Sequence, residues 1–134
     1  MLLYNVAAKN IFIAGNGLSC MLLNNTYTHL ATYTNISELT SFEVTNGAEW
    51  PVGGIAFSSL ATVLDGTNDG IITADNIQVT PAAAQVGPFQ HAVIYCTATG
   101  DLLGTQDYGT DKIFPVGFTS GIGIVDGHIF KITA

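Results

Sequence analysis

From Ser41 to the C-terminus, short apolar runs alternate with glycine-centred turn strings. That punctuation points to antiparallel β structure more strongly than any other feature of the chain. Ser41–Asn46 (SFEVTN) alternates apolar and polar positions, and Gly53–Leu64 (GGIAFSSLATVL) reads as a longer strand opened by Gly53–Gly54. Asp65–Gly66 and Asp69–Gly70 mark turns ahead of Ile71–Thr80, which stops at Pro81. His91–Ala98 (HAVIYCTA) is the strongest candidate for a buried strand, because Val, Ile and Tyr suit a pleated, packed surface. Gly100–Asp101 turns the chain into Leu102–Gly109, then Ile113–Ser120 follows, and the segment from Gly121 folds back at Asp126–Gly127. No strand alternates with a long helical pattern, which disfavours a doubly wound parallel sheet. The expected fold is all-β, an antiparallel β-sandwich with jelly-roll or immunoglobulin-like strand order.

The first forty residues differ from this pattern. Leu3, Val6, Ala7 and Asn10 follow helical spacing, so a short N-terminal helix or arm is expected, ending at Gly15–Asn16–Gly17. Leu18–Leu23 is strand-like. Residues 24–41, rich in Thr, Asn and Tyr, read as a long polar loop with a helical turn at Ser37–Glu38–Leu39. The expected division is an arm over 1–17 and one sandwich domain over 18–134, a length sufficient to bury a core without disulfides or metal.

Charge excludes whole classes of partner. Lys9, Lys112 and Lys131 are the only cationic Lys or Arg residues against 10 acids, giving a net charge of -7. Nucleic acid needs clustered cations, and an anionic membrane would repel such a chain, so neither is an expected partner. No apolar stretch approaches the ~18 residues of a membrane span. The first residues lack a positive region before an apolar core, so no secretory leader is expected. Synthesis in a reducing cytoplasm follows, with Cys20 and Cys96 as small buried hydrophobes. A disulfide between facing strands is the alternative. In that compartment the sequons at Asn24 and Asn35 are plain polar loop residues. Only 10% of residues are charged, so Ser, Thr, Asn and Gly must supply most surface polarity. Such a surface fits a subunit that packs against others, and equally a chain adapted to a salty or cold medium.

Candidate chemistry is thin. Asp65–Asn76 resembles a calcium loop, with Asp65, Thr67 and Asp69 at ligand spacing, but Asn76 stands where a bidentate carboxylate is needed. Two tight turns explain the segment better. His29, His91 and His128 are too far apart in sequence for a short metal motif. Ser19 and Cys20 lack the second glycine of a nucleophile elbow. Glu43 and Glu49 could be drawn as a glycosidase pair, but with Glu38 they read as solvated loop acids. Gly15–Asn16–Gly17, Gly53–Gly54 and Gly121–Ile122–Gly123 read as turns and bulges, since no basic strand-to-helix setting surrounds them. No catalytic residue, metal or cofactor is expected. Among the aromatics, Tyr95 reads as core, Trp50–Pro51 as an exposed anchor, and Trp50, Tyr27 and Tyr33 as the members of a possible sugar-binding face.

The order of these segments resembles a family of small structural proteins of tailed bacteriophages. The likeness runs from about Leu18 to Thr133. It begins with the strand LSCMLLNN, Thr26–Tyr27–Thr28 and the Asn/Thr-rich loop. It continues through Ser37–Glu38–Leu39, Phe42–Glu43–Val44, and the Gly53–Gly54 doublet, where the family often reads EVSGTGYTAGG. Ile72–Ile77 is similar to the start of the family's next strand, and His91–Tyr95 to its YAVIY strand. Thr99–Gly104 with Asp107–Tyr108–Gly109 is similar to its G-x-L-I-G-x-x-D-F-G hairpin. The sequence departs at Gly47–Ala48–Glu49–Trp50–Pro51. The resemblance implies a non-enzymatic virion protein. A capsid decoration (cement) protein on the capsid surface is the first expectation, with the major capsid protein and sister copies in a homotrimer as its partners. A tail or fibre component binding host-surface glycan is the second. The expected contact residues are Leu2, Leu3, Val6, Ile11 and Phe12 of the arm, together with Trp50. The alternative for the arm is a helix capping the protein's own sandwich.

Overall fold

The strands follow one another as Leu2–Leu3 (β1), Leu18–Leu23 (β2), Glu43–Val44 (β3), Ile55–Ala56 (β4), Ala61–Leu64 (β5) and Gly70–Thr73 (β6). Then come Ile77–Val79 (β7), Val86–Cys96 (β8), Leu102–Phe114 (β9), Ser120–Val125 (β10) and His128–Thr133 (β11). They are seen in a computed structural model that describes residues 2–3, 16–64, 70–125 and 128–133, with side chains described over 16–61 and 74–123. All the ladders are antiparallel. One sheet runs β3-β2-β8-β9, with β4 also on β2; the others run β11-β10-β7 and β1-β6-β5. The chain is therefore all-β, as its turn punctuation implies.

The central ladder joins β2 to β8, from Leu18 opposite Cys96 to Leu23 opposite His91. Side chains alternate across a strand, so this ladder has two faces, and both are buried. Leu18, Cys20, Leu22, Ala92 and Ile94 enter one core. Met21, Leu23, Val93 and Tyr95 enter a second. Burial on both sides explains why LSCMLL and AVIYC are continuous apolar runs rather than alternating ones. The first core is completed by Trp50, Phe57, Phe89 and Phe114, and by Ile77, Val79 and Ile122 from the β7–β10 side.

The second core is roofed by Tyr27 and Leu39, with half-buried Tyr33, Ile36 and Phe42 packed against it. Residues 24–42 are thus an ordered cover, where composition suggested an open polar loop. Two 3-10 turns, Ile36–Glu38 and Thr40–Phe42, stand in place of the single expected turn. Asn35 and Glu38 form a capping box on the first, each side chain accepting a backbone N–H of the other's end. Backbone bonds from Ile36 N to Gly100 O (2.8 Å) and from Leu102 N to Thr34 O (3.0 Å) tie the cover to the β8–β9 hairpin.

Several expected strands have other bounds. Gly53–Leu64 is broken into β4 and β5 at Ser59, whose φ of +53° cannot continue a ladder. Ile71–Thr80 divides into β6 and β7 around residues 74–76. β8 begins at Val86 instead of His91, and β9 runs on through Gly109 to Phe114. Gly109 carries a φ of +79°, and the β8–β9 register shifts more than once, so the hairpin absorbs residues that look like turns. Pro115 ends β9, and the residues up to Thr119 form a turn tied to Pro81 O by Gly117 N at 2.8 Å. At the N-terminus Leu2–Leu3 form a strand against β6, not the start of a helix, and residues 4–15 of the expected helix or arm lie outside the described residues. Among the described residues no helix is long and apolar enough to cross a membrane.

Candidate functional site

A turn at Asn24–Tyr27 starts the cover, with Tyr27 N bonded to Asn24 O at 3.3 Å and Thr26 N to the Asn24 side chain at 3.0 Å. It drives Tyr27 under the roof. The Tyr27 ring lies edge-on to Phe42 (5.6 Å between centroids) and to His91 (5.0 Å), and Tyr33 stacks on it at 6.2 Å and 25°. Where this segment passes β9, two hollows of about 140 and 340 Å³ adjoin, sharing Tyr27, His29 and Thr105. The smaller is closed by Tyr33 and Leu102–Gly104. The larger is bordered by Asn25, Thr28, Gln90, His91 and Asp107. Together they form one groove, aromatic at one end and polar at the other.

The polar end is organised around Asp107. Its Oδ1 accepts the Gly109 N–H at 2.7 Å and the Gln90 amide at 3.1 Å, and lies 3.8 Å from His91 Nδ1. Those two bonds, helped by His91, hold the carboxyl below its ordinary range, so it is ionised and accepts only. His91 and Asp107 are direct cross-strand partners, which puts both on the same face as Tyr27. Burial pushes the Tyr27 phenol up, partly offset by a bond from Thr105. Asn25 donates to Asp111 at 3.3 Å and so holds the loop against β9.

Most residues singled out by sequence have structural duties. Trp50 corrects its expectation as an exposed anchor: it is 0% exposed and packs 6.0 Å from the Phe114 ring in the first core. It therefore offers nothing to a partner surface or a sugar. Glu38, Glu43 and Glu49 are backbone acceptors rather than free loop acids. Glu38 takes the N–H groups of Thr34 and Asn35, Glu43 that of Gly53 at 2.7 Å, and Glu49 that of Ala82 at 3.0 Å. Cys20 is fully buried and its thiol is pushed far up by burial, so it is no nucleophile. Cys20 and Cys96 are both free thiols. Ser19 shares a hydrogen bond with Thr97 at 2.7 Å. A Cβ on Gly54 would sit 1.9 Å from the Cys20 carbonyl oxygen, so the Gly53–Gly54 doublet serves close backbone contact. Tyr95, read as core, is buried and donates to the Gly53 carbonyl.

His29 and His91 come to one groove although far apart in sequence, while the side chain of His128 lies outside the described residues. Among the described residues no three metal-ligating side chains converge. Asp65–Asp69, the core of the calcium-like loop, and the arm residues Val6, Ile11 and Phe12 lie outside the described residues; Leu2 and Leu3 are placed only as strand. Sequence reasoning found Tyr27 and Tyr33 but missed Gln90, Thr105 and Asp107. The signal was the i, i+2 spacing of Thr105 and Asp107, which becomes legible only once the β8–β9 register is known. The chain matches no protein-family model, no curated protein and no solved structure.

Proposed function

We propose that this chain is a non-enzymatic structural protein of a tailed-phage virion, a head decoration (cement) protein on the outer capsid surface. The observation that carries the reading is a set of large apolar side chains left open at the end of β9 and in the turn after it. Phe118 is 67% exposed, Ile113 46% and Val116 44%. On a chain this poor in charge, such a tip favours protein contact over solvation. The segment order of the tailed-phage family supports the same reading.

The five-stranded sheet and the β7–β10–β11 sheet share the first core as the halves of a sandwich, of jelly-roll or immunoglobulin-like type. The protein is made in the host cytoplasm and assembles on the shell as a homotrimer. Leu2, Leu3, Val6, Ile11 and Phe12 contact the major capsid protein or a neighbouring copy. Repeated contacts strengthen such a shell without any one strong interface.

Deleting the gene tests the role. Particles should still assemble but lose infectivity faster on heating and osmotic shock. Phe118→Ser protein, added back, should restore stability less well than wild type. Unchanged survival of the deleted particles would reject the cement role.

A further inference from the structure

We propose that the groove between residues 25–33 and β9 binds a neutral saccharide. Trp50 cannot take part, being buried on the other side of the central ladder. The site is instead made by Tyr33 and His29 with Asp107, Gln90 and Thr105, all bordering the two adjoining hollows.

The chemistry of the lining selects the ligand class. No Lys or Arg borders either hollow, and Asp107 is held ionised by Gly109 and Gln90. Phosphates, sulfates and acidic sugars would meet the Asp107 carboxylate with no Lys or Arg to hold them. An apolar ligand would strand the polar groups of the larger hollow without partners. A quaternary ammonium needs several open aromatic faces, but Tyr27 is buried behind Tyr33 and edge-on to Phe42 and His91. A sugar ring has what remains: C–H groups for one aromatic face, and hydroxyls for a carboxylate, an amide and a threonine. The larger hollow, about 340 Å³, lies at the low end of the ~300–1,000 Å³ range of small-molecule sites.

The site is also held in shape before any ligand arrives. Tyr33 rests on Tyr27, which is clamped by Phe42 and His91. Asp107 is fixed by the Gly109 N–H and the Gln90 amide. Thr105 lies two residues from Asp107 on the same face of β9. Ordering costs on binding are correspondingly small. A single shallow site of this kind binds in the millimolar range. Many copies on one particle would turn weak sites into firm adhesion, and this last step alone rests on the virion reading.

The test uses the purified full chain, so it stands apart from any result on particles. Saturation-transfer NMR is run with methyl α-glucoside, methyl β-galactoside and N-acetylglucosamine, and with 3′-sialyllactose and choline as anionic and cationic probes. At least one neutral sugar should receive saturation on its ring protons. His29→Ala and Asp107→Ala, at exposed positions, should each weaken binding about tenfold, while Val52→Ser should not. Tyr33→Ala should abolish it, with thermal melting to confirm that the variant is folded. Binding of no neutral sugar would overturn the proposal. Retained binding in both exposed-site variants would overturn the location, and tighter binding of sialyllactose or choline would overturn the ligand class.

Discussion

The side-chain carbonyl of Asn46 accepts the backbone N–H of Trp50 at 2.8 Å, and it also accepts that of Ala48 at 3.1 Å. The amide nitrogen of Asn46 donates to Ala84 O at 3.1 Å and to Glu49 at 3.3 Å, while Glu49 accepts the Ala82 N–H. One asparagine therefore closes the 46–50 turn and fastens it to the 82–84 segment. Asn46→Ala removes the four bonds of its own side chain and leaves the Ala48 and Trp50 N–H groups unpaired. It should cost about 1–3 kcal/mol, read as a lower urea midpoint with an unchanged slope.

The same turn delivers the Trp50 indole to the core. Trp50→Ala should cost about 3–5 kcal/mol, as for other large buried aromatics. Trp50→Phe should cost much less than that. The indole Nε1 has no hydrogen-bond partner among the described residues, so the smaller ring loses packing but no bond. Thermal melts of the two variants check this, and an exposed anchor would make both changes nearly neutral.

Two glycines separate steric need from backbone freedom. Gly54 and Gly47 both have positive φ, +80° and +75°. At Gly54 a Cβ would lie 1.9 Å from Cys20 O, whereas at Gly47 it would meet nothing within 4 Å. Gly47→Ala should cost about 1 kcal/mol, the strain of a left-handed alanine. Gly54→Ala should cost several times more, because β2 must shift away from the segment before β4. Denaturant unfolding of the pair gives the comparison directly.

Glu38 makes stability depend on acid. The N–H groups of Thr34 and Asn35 hold its carboxyl below the ordinary value of 4.5. A folded pKa below the unfolded one means that the stabilisation is complete above that value. It fades as pH falls below about 4.5 and the carboxyl protonates. Glu38→Gln should flatten this acid slope while leaving the 3-10 turn in place, as hydrogen exchange of the Thr34 and Asn35 amides at pH 6 and pH 3.5 can record.

The class of the fold was legible because strands and turns are local: LSCMLL and HAVIYC are apolar enough to demand burial wherever they pair. What lies between them was not. Residues 24–42 look polar because Thr and Asn serve their caps and turns, while the burying residues, Tyr27, Leu39 and Phe42, are spread too widely to show a period. Trp50 looked exposed because Trp50–Pro51 sits just before an expected strand, and the bonds of Asn46 and Glu49 to the 82–84 segment, which fasten its turn inward, are long-range. The groove escaped for the same reason. Asp107 meets His91 through a register with more than one shift, and no local pattern encodes those shifts.

The most direct measurement is the copy number of this chain relative to the major capsid protein, by quantitative mass spectrometry of purified virions. A shell decoration protein should appear near parity with the capsid subunit. A handful of copies per particle, or none, would contradict a place on the capsid surface.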